Sequence, residues 1–311
     1  MPLKQNNIII IVLIAFLAGW VSSCMPAATP SATTVKTAAG AGPTQTTGPQ
    51  ATLAPTPTEG PAAARVNGEG VPLAVFTASL KSYQAAQVEL GQKTPADPSA
   101  QQKVVLDDLV NQVLLAQAAV KAGHPVDDAA VQDKLSQLAS EAGGDPALTD
   151  WENKNGYTSD SLKAALRIQM AAAWEQEQII AAVPTTADQV HARQILVFDA
   201  TQADQIEQKL VSGSDFATLA LQYDPQTGGD LGWFPRGYLT QPEVETAAFS
   251  LEAGKYSQVI KSKIGYHIVQ VIERDPKHAL SPDALQLSQH QALQKWLDDQ
   301  RAKAQIVVVS P

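Results

Sequence analysis

The chain has 311 residues, with 22 Lys and Arg against 31 Asp and Glu and a formal net charge of −9. That acidic balance argues against a surface built to hold nucleic acid or anionic lipid, so neither is expected as a partner. Its single cysteine, Cys24, excludes an internal disulfide framework.

Lys4 is followed by the apolar run Ile8–Leu17 and then by the small-residue segment Ala18–Cys24. The run is too short for a membrane span and reads as the core of a signal peptide over residues 1–23. Val21-Ser22-Ser23-Cys24 resembles a bacterial lipobox. That resemblance implies a lipid on Cys24 and an extracytoplasmic chain anchored to the cell membrane. Losing Lys4 with the leader moves the formal net charge from −9 to −10. Residues 24–64 are almost entirely Ala, Thr, Pro, Gly, Ser and Gln, too polar to offset the entropy of ordering them. They are expected to form a tether, with a typical reach of roughly 35 Å for forty flexible residues.

Residues 65–187 read as a helical domain. Val66–Leu73 is expected to be a short hairpin with Asn67-Gly68 at its turn, followed by a helix over about Leu73–Leu90. Leu106, Leu109, Val110, Val113 and Leu114 recur on one helical face, and Gly123 and Pro125 stop that helix. Asp127 caps the next, which carries Val131, Leu135 and Leu138. Asp145-Pro146 opens a short helix with Leu148 and Trp151, closed by Asn155-Gly156. Thr158 caps a long one through Leu162, Leu166, Met170 and Trp174 to Val183-Pro184. Further on, Gly213-Ser214-Asp215-Phe216 ends one helix and caps another.

The most distinctive stretch is Gly228-Gly229-Asp230-Leu231-Gly232-Trp233-Phe234-Pro235-Arg236-Gly237. Its four glycines point to positive φ and an irregular loop, on which Leu231, Trp233 and Phe234 hang an apolar wall. Downstream, Gly265-Tyr266-His267-Ile268-Val269 opens a strand with His267, Val269 and Val271 on one face and Tyr266, Ile268 and Ile272 largely on the other. The two motifs closely resemble those of parvulin-type (PpiC-like) peptidyl-prolyl isomerases, over roughly residues 188–275. Val66-Asn67-Gly68 and the Trp151…Asn155-Gly156-Tyr157-Thr158 segment are similar to the N-terminal domain of SurA- and PrsA-type extracytoplasmic chaperones.

The resemblance implies an α+β fold: a mostly helical SurA/PrsA-like chaperone domain into which a parvulin domain of mixed β-sheet and surrounding helices is inserted at residues 188–278. It also implies that residues 279–311 complete the helical domain, through Pro282–Lys303 and an Ile306–Val309 strand pairing with the Val66–Leu73 segment. His267 falls on the family's last-strand histidine, and Gln194 stands where the first-strand histidine is usual. Asp224 aligns near the substrate amide, and Leu239, Val244 and Phe249 with the proline pocket. Trp233 and Phe234 join that pocket or serve the core. His191 lies an odd number of residues from Gln194, which puts it on the opposite face at a solvent edge. Twisting an X–Pro amide needs an apolar pocket and a few polar groups, so no metal or cofactor is expected.

The implied function is a lipid-anchored foldase that isomerises X–Pro bonds in newly exported or unfolded proteins and also acts as a chaperone. The alternative is a weak or inactive parvulin-fold chaperone that only binds such clients. Gln194, the short Asp224 loop and Val244 in place of an aromatic favour the alternative.

Overall fold

The computed structural model describes residues 61–90 and 97–309. The signal peptide, Cys24 and the tether as far as residue 60 lie outside the described residues. The fold is α+β and forms two compact units, one running to Glu175 and resuming at Asp299, the other Gln176–Asp298.

In the first unit, β1 (Ala62–Val66) and β2 (Glu69–Pro72) form the hairpin. Asn67 and Gly68 turn it with φ of 53° and 90°. Its first strand begins earlier than the sequence suggests, inside the segment read as tether, because Ala63, Ala64 and Val66 are buried in the helical core. The helices are α1 (Leu73–Glu89), α2 (Pro98–Lys121), α3 (Asp128–Ala142), α4 (Asp145–Asn155) and α5 (Ser159–Ala181). Their bounds follow local chemistry. The Asp127 carboxylate accepts from Ala130 N at 2.8 Å, the Thr158 hydroxyl from Ser161 N at 3.1 Å, and Gly156 ends α4 at a φ of 81°. Val105, Leu109, Val113, Val131, Leu135, Leu138, Leu162 and Leu166 fill the core between them.

The end of the chain returns to this unit. After α9 (Pro282–Arg301), β7 (Ile306–Val308) pairs antiparallel with β1, Val66 facing Ile306. Arg301 donates to the Asp107 backbone carbonyl at 2.7 Å, to the Asp107 carboxylate at 3.1 Å and to Asn111 Oδ1 at 2.7 Å. The expectation that all of Pro282–Lys303 belongs to the helical domain is corrected here. The helix as far as Asp298 groups with the second unit, and only the chain from Asp299 groups with the first. Physically, Arg301 and β7 make the ties to α2 and β1.

Asp108 on α2 accepts from Gln112 Nε2 at 2.7 Å, and burial pushes its carboxyl up to about 6. A folded value above the ordinary 3.8 means that the native state holds this proton more tightly than the unfolded chain does. The contribution is therefore present below pH 3.8 and is lost as pH rises through about 6. At about 1.4 kcal/mol per pH unit across that window, ionised Asp108 costs the unit roughly 3 kcal/mol at neutral pH. Asp108→Asn is expected to raise the melting temperature at pH 7.5, with the gain shrinking towards pH 4. Calorimetry that found an equal gain at both pH values would remove burial of the charge as the cause.

The second unit is built on a sheet of order β4-β3-β6-β5, all antiparallel neighbours. Its strands are β3 (Thr186–Val197), β4 (Asp230–Pro235), β5 (Ile260–Lys261) and β6 (Tyr266–Ala279). The helices α6 (Ala200–Val211), α7 (Phe216–Tyr223) and α8 (Pro242–Ser250) connect them. Each sheet face has its own core. Ile195, Val197 and Ile268 pack with Ile206, Leu210, Phe216 and Leu219 of α6 and α7. Val190, Ala192, Val269 and Val271 pack with Phe234, Val244 and Phe249.

The glycine-rich segment is not an irregular loop throughout. Asp230–Pro235 is a strand along Gln189–Arg193, with Gly232 opposite Ala192 and a bulge that leaves Leu231 without a partner. The glycines still have positive φ, but the strand absorbs Gly232 at the bulge.

Candidate active site

β3 and β6 bring two predicted residues together from 73 positions apart. Gln194 faces Val269 and Leu196 faces His267, so Gln194 and His267 are diagonal neighbours on one face. His267 is 1 % exposed, and its two ring nitrogens are both engaged. Nδ1 lies 2.8 Å from Gln194 Oε1 and Nε2 lies 2.7 Å from the Ser262 hydroxyl. A glutamine carbonyl only accepts, so the network assigns the proton to Nδ1 and makes Nε2 the acceptor of the Ser262 O–H. The Ser262 oxygen in turn accepts from Ile264 N at 3.1 Å. Desolvation lowers the His267 pKa below 6.5, opposed by the carboxylate of Glu243, so the imidazole is neutral at physiological pH.

Four of the predicted apolar residues share the core on this face. Val244, Phe249 and Phe234 are buried in it, with Leu239 half-buried against them. Phe234 meets Phe249 edge-on at 6.0 Å, and the Arg236 guanidinium lies 4.1 Å over the Phe249 ring. Glu245, in the first turn of α8, holds the segment that carries Leu239. Its carboxylate accepts from Gly237 N at 2.7 Å and from Tyr238 N and Leu239 N at 3.0 Å.

One assignment is corrected. Trp233 is not on this face: it pairs with His191 while Phe234 pairs with Val190, and strand alternation sends the two rings to opposite sides. There it stacks on His278 at 4.0 Å and lies 5.6 Å from His191. His191 lies on that opposite face, as its spacing from Gln194 implies, and its Nε2 meets Asp230 Oδ1 at 2.9 Å. Asp224 caps the end of α7 and turns its own loop, accepting from the Thr227 hydroxyl, from Gln226 N at 3.1 Å and from Gly229 N at 3.3 Å. The Thr227 hydroxyl is the main cause of its lowered pKa. Its link to the site is indirect, because the Gly229 carbonyl accepts from Gln194 N at 2.8 Å.

Sequence reasoning missed Ser262 and Glu245. Ser262 precedes the tight turn from β5 into β6, and pairing of Ile260 with His267 brings it to the ring. An acid in the first turn after Pro242 was the available signal for Glu245.

Residues 169–273 match the family model described as the PPIC-type PPIase (rotamase) domain, and residues 49–160 match the SurA-like N-terminal domain. The chain carries a PPIC-type PPIase domain behind a SurA-like N-terminal domain. Among similar proteins, a foldase protein PrsA of Caldanaerobacter subterraneus subsp. tengcongensis is 36% identical over 192 residues, 53% of this chain and 55% of that one. The foldase protein PrsA of a Geobacillus species is 32% identical over 184 residues, 56% of this chain and 64% of that one. The chain thus spans between about half and two thirds of the length of these relatives. A crystal structure of peptidylprolyl isomerase (PrsA) from Bacillus cereus aligns at 26% identity with a TM-score of 0.42, covering 75% of this chain and 84% of that one. In the PPIase domain, Gln194, Ser262 and His267 form the polar centre, and Leu239, Val244 and Phe249 lie on its apolar face.

Proposed function

We propose that this chain is an extracytoplasmic foldase that isomerises X–Pro bonds in newly exported proteins, held to the membrane by a lipid on Cys24. The observation that carries the reading is the buried His267 bridged between Gln194 and Ser262, on the face that holds Leu239, Val244 and Phe249. The reaction breaks no covalent bond. Its barrier of about 18–20 kcal/mol comes from losing amide resonance, so a site that grips the ring and excludes water lowers it.

In this reading the neutral His267 is not an acid. Both its nitrogens are engaged, so the buried ring stays fixed beneath the prolyl ring while the amide rotates. Gln194 and Ser262 fix the ring's orientation; the half-buried Leu239 contacts the proline, and the buried Val244 and Phe249 form the apolar floor behind it. The chaperone role rests on the SurA-like domain. For the anchor, the support is the lipobox-like Val21–Cys24; a Cys24→Ser chain that still partitioned into detergent would end that part.

The test is proline-limited refolding of a client with the chain lacking residues 1–60. Acceleration at substoichiometric amounts is expected, increased by Gln194→His if an imidazole is the better partner for His267. Suppressed aggregation alone, at stoichiometric amounts and with no acceleration by either protein, would leave a client-binding protein without isomerase activity.

A further inference from the structure

The site face of β3 does not end at the site. Val190 and Ala192 are buried in the core below it, Gln194 reaches His267, and Leu196 stands opposite His267. Phe198 follows at the next even position and is 82 % exposed. A Cβ built on Gly265 would lie 3.0 Å from Leu196 Cδ1 and 3.5 Å from Phe198 Cδ1, so both side chains flank the same stretch of backbone. Ile264, the next residue back, is 46 % exposed, and its N–H donates to the Ser262 hydroxyl that bonds His267. Leu196, Phe198 and Ile264 thus continue the polar centre outward as an apolar ledge.

We infer that Phe198 is a specificity-determining residue, a platform for an apolar or aromatic client side chain within two residues of the proline. The inference rests on the isomerase reading of the site. Reach sets the spacing. Phe198, just past the end of β3, lies two residues beyond the position opposite His267, about 6–7 Å for an extended chain, which is the step from a proline to a side chain one or two residues away. Charge sets the chemistry. Lys261, Lys263 and Asp199, the charged residues next in sequence to the ledge, are exposed, and the Asp199 carboxylate accepts from Gln202 N at 2.9 Å. These charges are of mixed sign, so the ring itself is the selective element.

The experiment compares the full chain with Phe198→Ala on short proline peptides that carry Phe, Leu, Ala or Glu immediately before or after the proline. Exchange NMR gives isomerisation rates, and calorimetry gives affinities on the same peptides. The expected result is a preference of about fivefold for Phe or Leu over Ala, the scale of a partly buried apolar side chain. Phe198→Ala should abolish that preference while leaving the Ala peptides and the melting temperature unchanged. An equal loss on every peptide, or a preference that survives Phe198→Ala, overturns the platform but not the isomerase. If no peptide is isomerised the catalytic reading fails, and the affinities still decide the platform: Phe198→Ala must erase the affinity gap between Phe and Ala peptides, or the inference is wrong.

Discussion

Gly229→Ala is expected to destabilise the second unit by about 3–5 kcal/mol, enough to unfold a marginal domain. Gly229 has a φ of 69°, and a Cβ there would lie 1.8 Å from the Gln194 carbonyl oxygen, with no flexible side chain able to yield. The backbone conformation contributes about 1–2 kcal/mol of that cost and the collision the rest. Gly232→Ala separates the two terms. Its φ is 66°, yet nothing lies within 4 Å of the added carbon. Calorimetry should show a small loss for Gly232→Ala and a large one for Gly229→Ala. Similar losses would mean that φ alone matters and that Gly229 has no special closeness to β3. On the isomerase reading proposed above, any folded fraction of Gly229→Ala should also lose isomerisation, because the collision pushes on the carbonyl of Gln194.

Glu245→Ala should come next in size. One carboxylate accepts three consecutive backbone N–H groups, from Gly237, Tyr238 and Leu239. Charge-assisted bonds of this kind are worth about 1.5–3 kcal/mol each in isolation, but the freed groups can partly recover water. A net loss of about 2–4 kcal/mol is expected. Leu239 sits on the released segment, so on the proposed isomerase reading turnover should fall by about tenfold or more even where the chain remains folded. Glu245→Gln keeps one acceptor oxygen and should fall between. A drop in melting temperature with kcat/KM intact at low temperature would show that the segment does not shape the site.

Much of the helical unit was legible in the sequence because its signals are local. Asp127, Thr158 and Gly156 mark helix ends through bonds and backbone angles made within a few residues, and the leucine spacing states which side faces inward. The pairing of Gln194 with His267 was legible for a different reason: two motifs fix the strands, and alternation does the rest. Three features depended on geometry that residue types do not carry. The bulge at Leu231 let a glycine-rich segment join a sheet, and only pairing with β3 shows which of Trp233 and Phe234 faces the core. The bonds of Asp224 to Thr227 and Gly229 are set by the shape of its turn, which residue type alone does not specify. Ser262 and Glu245 act across turns whose shape decides their targets. The exposed Phe198 was passed over because a lone apolar residue beside a strand end carries no periodicity.

The pairing of Val66 with Ile306 has a temporal side. A chain made from its N-terminus presents β1 long before its second neighbour exists. Through all that interval β1 has one open edge, the kind of surface that recruits foreign strands. The residues of the second unit, Gln176–Asp298, are contiguous and complete before β7 leaves the ribosome. The last few residues therefore act as a closing stitch, and a chain that stops short of Ile306 is left with an unhemmed sheet however well its inserted unit has folded.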